Sequence, residues 1–420
     1  MAKLQIDQSL AKQIIDSLGK GVPPHRGVSA YATGTEFAEK VRSRHLEGGI
    51  ANGKIRFVGG SWGAGKTHFF RLIREYAFEE KLLVSTVELS SHETPFNKFE
   101  RVFFEIVRNI TSPAMYEEAN LSLALPFGEV LREALARWEG DYGSTGDAVR
   151  ALTDELMQQT DIDIDFRRVV VAYWTTYATV GAEVAALENA RGTLLQWFEG
   201  EGQLRTFQRE YEVQKMVKRE NARIVLASLG KFVRWLGFSG LLVLLDESEM
   251  SHSTMRKSSL KDAHNNLLHL INEIDDTEGL FLIYAAVPDF WEDPKSGIRT
   301  YGALAGRIGA LDQKPPRALD NVWNIDHLTQ DRAPFADAAA KIREIYEIAY
   351  PKEVAGLPPV ATLRDHIDGV LDEHPEFSHV SSWRVAITAT IQALNMALEG
   401  DALPAPKKHH DDIVSSLEDD

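Results

Sequence analysis

The sequence predicts an α/β fold in which helices flank a mostly parallel sheet, and three observations support this prediction. The stretch GGSWGAGKT, residues 59–67, joins a short apolar run to a run with helical spacing. A second apolar run, GLLVLLDE, ends in two acidic residues, and a third, GLFLIYAA, follows it along the chain. Near-continuous apolar runs are typical of parallel strands that are covered on both faces. Strand, glycine-rich loop, helix and strand is the beginning of a doubly wound α/β domain.

The composition is that of a globular protein and limits the classes of function. The chain has 420 residues, of which 44% are hydrophobic and 26% are charged, and this length favours two or three domains of ~150 residues. It contains no cysteine, which excludes disulfides, thiolate metal sites and a cysteine nucleophile. We expect a soluble cytoplasmic protein without a membrane partner, because no signal peptide and no apolar run of ~20 residues is present. The net charge of −16 disfavours a protein that coats nucleic acid with its whole surface.

The elements of the first part of the chain follow from apolar spacing and from stop signals. Glycines and the Pro23-Pro24 pair end the first helix, and Thr35 is the candidate N-cap of the second. The predicted elements are a helix over 1–20, a helix from about 33–35, a strand at 54–58, a helix over 66–79, a strand at 81–90 and a helix over 95–111.

The remaining elements divide the chain into domains. We expect helices but no strand over 112–220, a helix over 221–240, and strands at 241–247, 279–290 and 321–328 with a helix after the first of them. Two prolines and an acidic end predict a disordered tail. The predicted domains are an N-terminal helix and loop (1–50), a core (51–111 and 221–329), a helical insertion (112–220), a helical lid (330–400) and the tail (401–420).

The glycine-rich loop predicts a phosphate site. Gly60 and Gly65 allow backbone conformations that turn successive N–H groups inward, and the helix that begins at Lys66 directs its N-terminal dipole at the same anion. Lys66 is expected to reach the β- and γ-phosphates, and the Thr67 hydroxyl to ligate Mg²⁺. ATP and Mg²⁺ are the predicted cofactors. The predicted binding residues are Gly60, Ser61, Trp62, Gly63, Ala64, Gly65, Lys66, Thr67 and His68.

Asp246 and Glu247, at the end of the second apolar run, predict the other half of the site. Asp246 is expected to hold Mg²⁺, and Glu247 to act as the base that polarises the attacking water. The alternative is a solvated strand end. The acidic pair favours hydrolysis over transfer to a second nucleotide.

Arginines after the third apolar run are candidates for transition-state charge stabilisation. Arg299 and Arg307 are both suitably placed to reach the γ-phosphate bound to a neighbouring subunit, and we favour Arg307. Arg384, near the start of the last amphipathic helix, is the candidate lid arginine. An ion-paired surface arginine is the alternative for each. The run FLIYAA lacks the Asn, Thr or Ser that usually senses the γ-phosphate in such strands.

Taken in order, these pieces resemble an AAA+ module, an ASCE-type P-loop NTPase, of the initiator and STAND-related kind. Within it, the chain resembles the ATP-binding proteins of bacterial BREX phage-defence loci, particularly the BrxD-like members. Four stretches carry this resemblance: SLGKGVPPHRGV, RFVGGSWGAGKTHFFRLIREYA, GLLVLLDESEM and GLFLIYAAVPDFWEDPKSGIRTYGALAGRI. The resemblance implies an ATPase of antiviral defence that forms a homo-oligomer and acts with DNA-handling partners, such as a helicase. Residues 21–36 are similar to the segment whose loop packs on adenine, although the usual arginine is missing.

Other interpretations stay open at this point. One is a nucleotide-dependent switch or scaffold with marginal turnover, which the missing polar sensor favours. A DNA-binding initiator is less expected, because it would need a winged-helix domain after the lid. A basic segment allows non-specific DNA binding, although a solvated helix face explains it better; its residues are Lys215, Lys218, Arg219 and Arg223. The histidines match no metal-binding motif, and four tryptophans are predicted core residues: Trp138, Trp174, Trp197 and Trp235.

Overall fold

The computed structural model contains a six-stranded sheet and confirms the predicted α/β class. It describes residues 6–90, 92–118, 126–247, 256–275, 277–328, 332–375 and 381–418. The strand order is β3-β2-β4-β5-β1-β6, and the sheet is mostly parallel and flanked by helices. The strands are β1 (Lys54–Gly59), β2 (Leu83–Leu89), β3 (Ile110–Thr111), β4 (Leu241–Glu247), β5 (Leu280–Ala286) and β6 (Val322–Asn324).

Eighteen α-helices lie in the described residues. They are α1 (Gln8–Gly19), α2 (Glu36–Val41), α3 (Lys66–Glu79), α4 (Phe99–Arg108), α5 (Pro113–Glu117), α6 (Pro126–Tyr142), α7 (Thr145–Met157), α8 (Ile164–Ala178), α9 (Val184–Gln196), α10 (Leu204–Tyr211), α11 (Ala222–Trp235), α12 (Lys257–Ile274), α13 (Asp289–Glu292), α14 (Gly302–Ile308), α15 (Ala333–Ala349), α16 (Val360–Asp372), α17 (Ser382–Glu399) and α18 (Pro406–Glu418). Among them, no helix is long and apolar enough to cross a membrane.

Strands β2, β4 and β5 form the parallel centre of the sheet. Glu88 pairs with Asp246 across β2 and β4, and Leu245 pairs with Tyr284 across β4 and β5. The first five residues of β4 and all seven of β5 are buried, as their apolar sequences predict. The two-residue strand β3, which the sequence did not predict, pairs antiparallel with β2.

The chain forms two compact units. The first contains residues 1–44, 58–76 and 311–420, and the second contains residues 45–57 and 77–310. Two of the boundaries fall inside β1 and α3, and the domain limits expected from the sequence stay a prediction. Segments far apart in the chain form the first unit because α1 packs on both α15 and α17.

The predicted insertion is mostly helical in the part that the structure describes, and belongs to the second unit. Trp174 and Trp197 are fully buried, as predicted for core residues, and their indole nitrogens donate to the carbonyls of Leu131 (2.9 Å) and Lys215 (2.8 Å). A buried indole N–H usually finds such an acceptor. Trp138 and Trp235 are half-buried and lie with ring centroids 6.1 Å apart.

Residues 212–218, after α10, form no helix, although helical spacing in the sequence predicted one there. Glu212 ends α10 with a φ of 57°. The buried carboxylate of Asp165 then accepts hydrogen bonds from the backbone N–H groups of Gln214 (2.8 Å) and Lys215 (2.9 Å). These bonds take the place of helical ones, since a buried N–H must be paired. Sequence periodicity does not reveal an acceptor that lies about fifty residues away.

The prediction of a disordered tail is wrong, because residues 406–418 form α18. This helix packs on α16 and α17. His409, His410 and Ile413 are 1%, 7% and 0% exposed. Two histidine pairs join α18 to the α16 region: His366 with His409 at 2.9 Å and His374 with His410 at 3.2 Å. The prolines that suggested disorder instead lie before the helix and at its first residue.

Candidate functional site

The glycine-rich loop lies between β1 and α3 in the first unit, and its glycines have two different tasks. Gly63 and Gly65 have φ values of 74° and 95°, in the left-handed region that other residues rarely adopt. Gly60 does not have a positive φ, so the prediction that it supplies a special backbone conformation is wrong, and Gly63 and Gly65 do so instead. Gly60 instead provides space, because a Cβ there would lie 2.7 Å from Ile325 Cγ1 and 3.1 Å from Ala64 Cβ.

Lys66 is the first residue of α3, as predicted, and its side chain turns back over the loop. Its Nζ donates to the carbonyl oxygens of Gly60 (2.6 Å) and Ser61 (2.9 Å). The same ammonium lies 5.8 Å from the ring centroid of Trp62, which is 53% exposed. The ammonium is therefore held at the mouth of the loop, where a phosphate would meet it. Thr67 follows with an exposed side chain, and His68 is half-buried.

Asp326 also contacts the loop, and sequence reasoning missed it. Its carboxylate accepts hydrogen bonds from the Ser61 backbone N–H (3.0 Å to each oxygen) and from the Ser61 hydroxyl (2.8 Å). Asp326 lies in a 3₁₀ helix, Ile325–His327, that directly follows β6. No short motif signals this contact, because 265 positions separate the two residues.

The start of α17 adjoins the tip of the loop. A Cβ built on Gly63 would lie 2.9 Å from the Cβ of Ser381, the N-cap of α17. Arg384 lies one turn further along α17 and is exposed. Its guanidinium is close to Gly21, because a Cβ built on Gly21 would lie 3.9 Å from Arg384 Nη2. The helix that carries the predicted lid arginine is thus next to the phosphate loop, while contact of Arg384 with a nucleotide stays a prediction.

The N-terminal segment is fixed to α3 by a buried carboxylate. Glu75 accepts the backbone N–H groups of Val28 (2.8 Å) and Ser29 (2.9 Å). Tyr31 then packs edge-on against His68, with ring centroids 5.5 Å apart. Burial lowers the pKa of His68 to about 4, so the imidazole is neutral at pH 7. The predicted adenine-side loop is thereby ordered beside the first turn of α3, directly after the phosphate loop.

Asp246 and Glu247 end β4 in the second unit. Asp246 is half-buried, whereas Glu247 is 8% exposed. The hydroxyl of Tyr284, on β5, donates to Glu247 Oε2 at 3.4 Å. Burial, followed by the charge of Glu247 and this hydrogen bond, raises the pKa of Tyr284 well above its usual value. Tyr284 therefore remains a donor, and the strand that lacked the expected polar residue presents a hydroxyl to the predicted base.

The predicted arginine fingers both lie on the surface of the second unit. Arg307 is exposed on α14, and Arg299 is exposed in a 3₁₀ helix and lies 3.9 Å from a carboxylate oxygen of Glu292.

The four cations proposed for DNA binding are not on one helix face, because residues 212–218 are not helical. Arg219 pairs with Asp262 (3.2 Å) and Arg223 pairs with Glu273 (3.0 Å). The interpretation of a basic helix face is wrong, while non-specific contact with DNA stays a prediction.

Comparison with known families identifies the chain. Residues 6–405 match the family described as the BREX system ATP-binding protein BrxC/D. The chain belongs to this family. No curated protein matches it. The match extends over nearly the whole chain, so it includes the phosphate loop, the acidic pair and the insertion.

Family membership confirms the resemblance seen in the sequence and supports an ATP-binding role in a BREX system. The loop geometry agrees with that role, because Gly63, Gly65 and Lys66 have the conformations and the charge that a phosphate cradle requires.

Proposed function

We propose that this BrxC/D-family chain is a Mg²⁺-dependent ATPase of the AAA+ type that acts in bacterial defence against phage. One observation carries the proposal: β1 leads into a phosphate loop with Lys66 turned over it, while β4 ends in Asp246-Glu247. From the order of these two motifs along the sequence, we infer that the loop and the acidic pair act on one nucleotide.

The side chains fit both cofactors. The Thr67 hydroxyl and the half-buried Asp246 carboxylate are oxygen donors of the kind that Mg²⁺ prefers. Bound Mg²⁺ would neutralise charge on the β- and γ-phosphate oxygens. Lys66 would bind the same phosphates, and Glu247 would accept the proton of the attacking water. Burial of Glu247 beside Tyr284 would fix its carboxylate in one orientation.

The arginines have proposed roles that depend on assembly. Arg307 would reach the γ-phosphate bound by a neighbouring copy, so catalysis would require a homo-oligomer. Arg384 would contact the nucleotide from α17, whose N-cap adjoins Gly63. Nucleotide state would then be coupled to oligomerisation and to other defence-system proteins, a helicase among them. Direct contact with DNA would be non-specific.

The second candidate is a slow switch, in which bound nucleotide sets the assembly state and turnover is marginal. The almost entirely apolar strand β5 favours it, because it presents no Asn, Thr or Ser to a γ-phosphate.

The rate of ATP hydrolysis, measured with Mg²⁺ and with or without duplex DNA, separates the two candidates. An ATPase should turn over in the usual enzyme range of ~1–10³ s⁻¹, whereas a switch should retain ADP and hydrolyse slower than about one ATP per minute. Lys66→Ala should abolish ATP binding in both cases. A wild-type chain that does not bind ATP would contradict both.

A further inference from the structure

We propose that Asp326 is a positioning residue of the phosphate loop, which it holds in the binding conformation by its hydrogen bonds to Ser61. This inference rests on the proposed function, because it concerns the loop that binds ATP. It assigns a task to a residue outside the sequence motif.

The contact between Asp326 and Ser61 involves both oxygens of the carboxylate. Both carboxylate oxygens accept the Ser61 N–H at 3.0 Å, and one of them also accepts the Ser61 hydroxyl at 2.8 Å. Hydrogen bonds to a charged acceptor are roughly twice as strong as those between neutral groups. Ser61 is the second residue of the loop, so the contact acts where the chain leaves β1.

The corner that presents Asp326 is itself ordered. The Asn324 side chain accepts the Asp326 backbone N–H at 3.2 Å and donates to the Asp312 carbonyl at 2.8 Å. Ile325 packs on Gly60 so closely that no Cβ fits there. Consecutive residues of this corner therefore contact consecutive residues of the loop.

Lys66 closes the same turn from its other end. Its Nζ donates to the carbonyls of Gly60 and Ser61, the two residues that Ile325 and Asp326 contact. The start of the loop is thus held from both sides. A loop that is already ordered costs less entropy when it binds a ligand, so the contact should appear as affinity for ATP.

Asp326 also carries a negative charge, which would repel phosphate if it lay close to the ligand. The two effects have opposite signs. Ordering predicts weaker ATP binding when Asp326 is removed, and repulsion predicts tighter binding.

Titration of the full-length chain with Mg²⁺ and a non-hydrolysable ATP analogue tests the proposal. We expect Asp326→Ala to weaken binding about tenfold, which is ~1.4 kcal/mol, and to raise KM with little change in kcat. Ser61→Ala should weaken binding less, because its backbone N–H remains. The double variant should lose less than the sum of the two single effects, since the residues form one contact. Asp326→Asn keeps one acceptor oxygen, so its affinity for the analogue should lie between those of the wild type and Asp326→Ala. This variant replaces Asp326→Ala in the test if the alanine variant does not fold.

Asp320→Ala is the matched control. Asp320 lies six residues before Asp326 and accepts a hydrogen bond from the Arg317 backbone N–H at 2.8 Å, which is outside the phosphate loop. The Asp320→Ala variant should bind the ATP analogue as tightly as the wild type does. Unchanged or tighter binding by both Asp326 variants would overturn the positioning role and leave the proposed function intact. Absence of binding by wild type would instead contradict the proposed function.

Discussion

The hydroxyl of Tyr284 donates a hydrogen bond to the Glu247 carboxylate, with 3.4 Å between Tyr284 Oη and Glu247 Oε2. This distance is longer than the common value of about 2.7–2.8 Å for such bonds. The tyrosine ring is fixed by Phe57, Phe96 and Phe290, whose centroids lie 5.8, 5.9 and 5.3 Å away. The hydroxyl is therefore held next to the predicted base by a rigid aromatic cluster.

Tyr284→Phe tests whether this hydroxyl assists the base. Loss of this hydrogen bond would leave the Glu247 carboxylate less firmly oriented, so we expect kcat to fall about three- to tenfold, a loss of ~0.7–1.4 kcal/mol. KM should not change. The measurement is kcat and KM for ATP turnover by the variant and the wild type. An unchanged kcat would restrict Tyr284 to a packing role, since Phe retains the ring.

Removal of either proposed Mg²⁺ ligand should increase the metal requirement. Thr67→Val and Asp246→Ala should raise the Mg²⁺ concentration for half-maximal ATP turnover, and chelation should stop turnover of the wild type. Thr67→Ser keeps the hydroxyl and is the control that should behave as wild type. Equal metal dependence in all four proteins would exclude these residues as ligands.

Arg307→Ala should leave ATP binding intact and lower turnover, because an arginine finger is worth ~10³ or more in rate. Arg299→Ala is the matched control, since Arg299 is also exposed and lies in an adjacent helix. Turnover and native mass should be measured together. If Arg299→Ala loses turnover and Arg307→Ala keeps it, the finger has been assigned to the wrong arginine.

Docking of α18 should weaken as the pH falls. Burial and then the charge of His366 lower the pKa of His409 to about 4, while Asp412 opposes the shift. Burial also lowers the pKa of His366. Between about 4 and the usual histidine pKa of 6.5, the unfolded state binds more protons than the folded one, so stability falls as the pH falls through this window.

Thermal unfolding of His409→Gln at several pH values measures this effect. The variant should be less stable than wild type at pH 7, and the difference should shrink toward pH 4. His92→Gln, at an exposed site, should follow the wild type throughout. A constant difference between His409→Gln and wild type would contradict a role for protonation.

The sequence predicted those features that depend on neighbouring residues. The strands β4 and β5 were visible as apolar runs, and α3 began at Lys66 because the glycine loop has a fixed relation to its helix. Features that depend on distant partners could not be predicted. Asp326 meets Ser61 across 265 positions, Asp165 accepts hydrogen bonds from the non-helical segment after α10, and histidine pairs join α18 to the α16 region.

The most direct test of the account is ATP hydrolysis by Glu247→Gln compared with wild type, with ATP affinity measured in parallel. The substitution keeps the size of the side chain and removes the base. We expect unchanged affinity and turnover reduced at least ~100-fold, within the usual contribution of a general base. Equal turnover by the two proteins would contradict the assignment of Glu247, and with it the central claim that β4 ends in the hydrolytic half of the site.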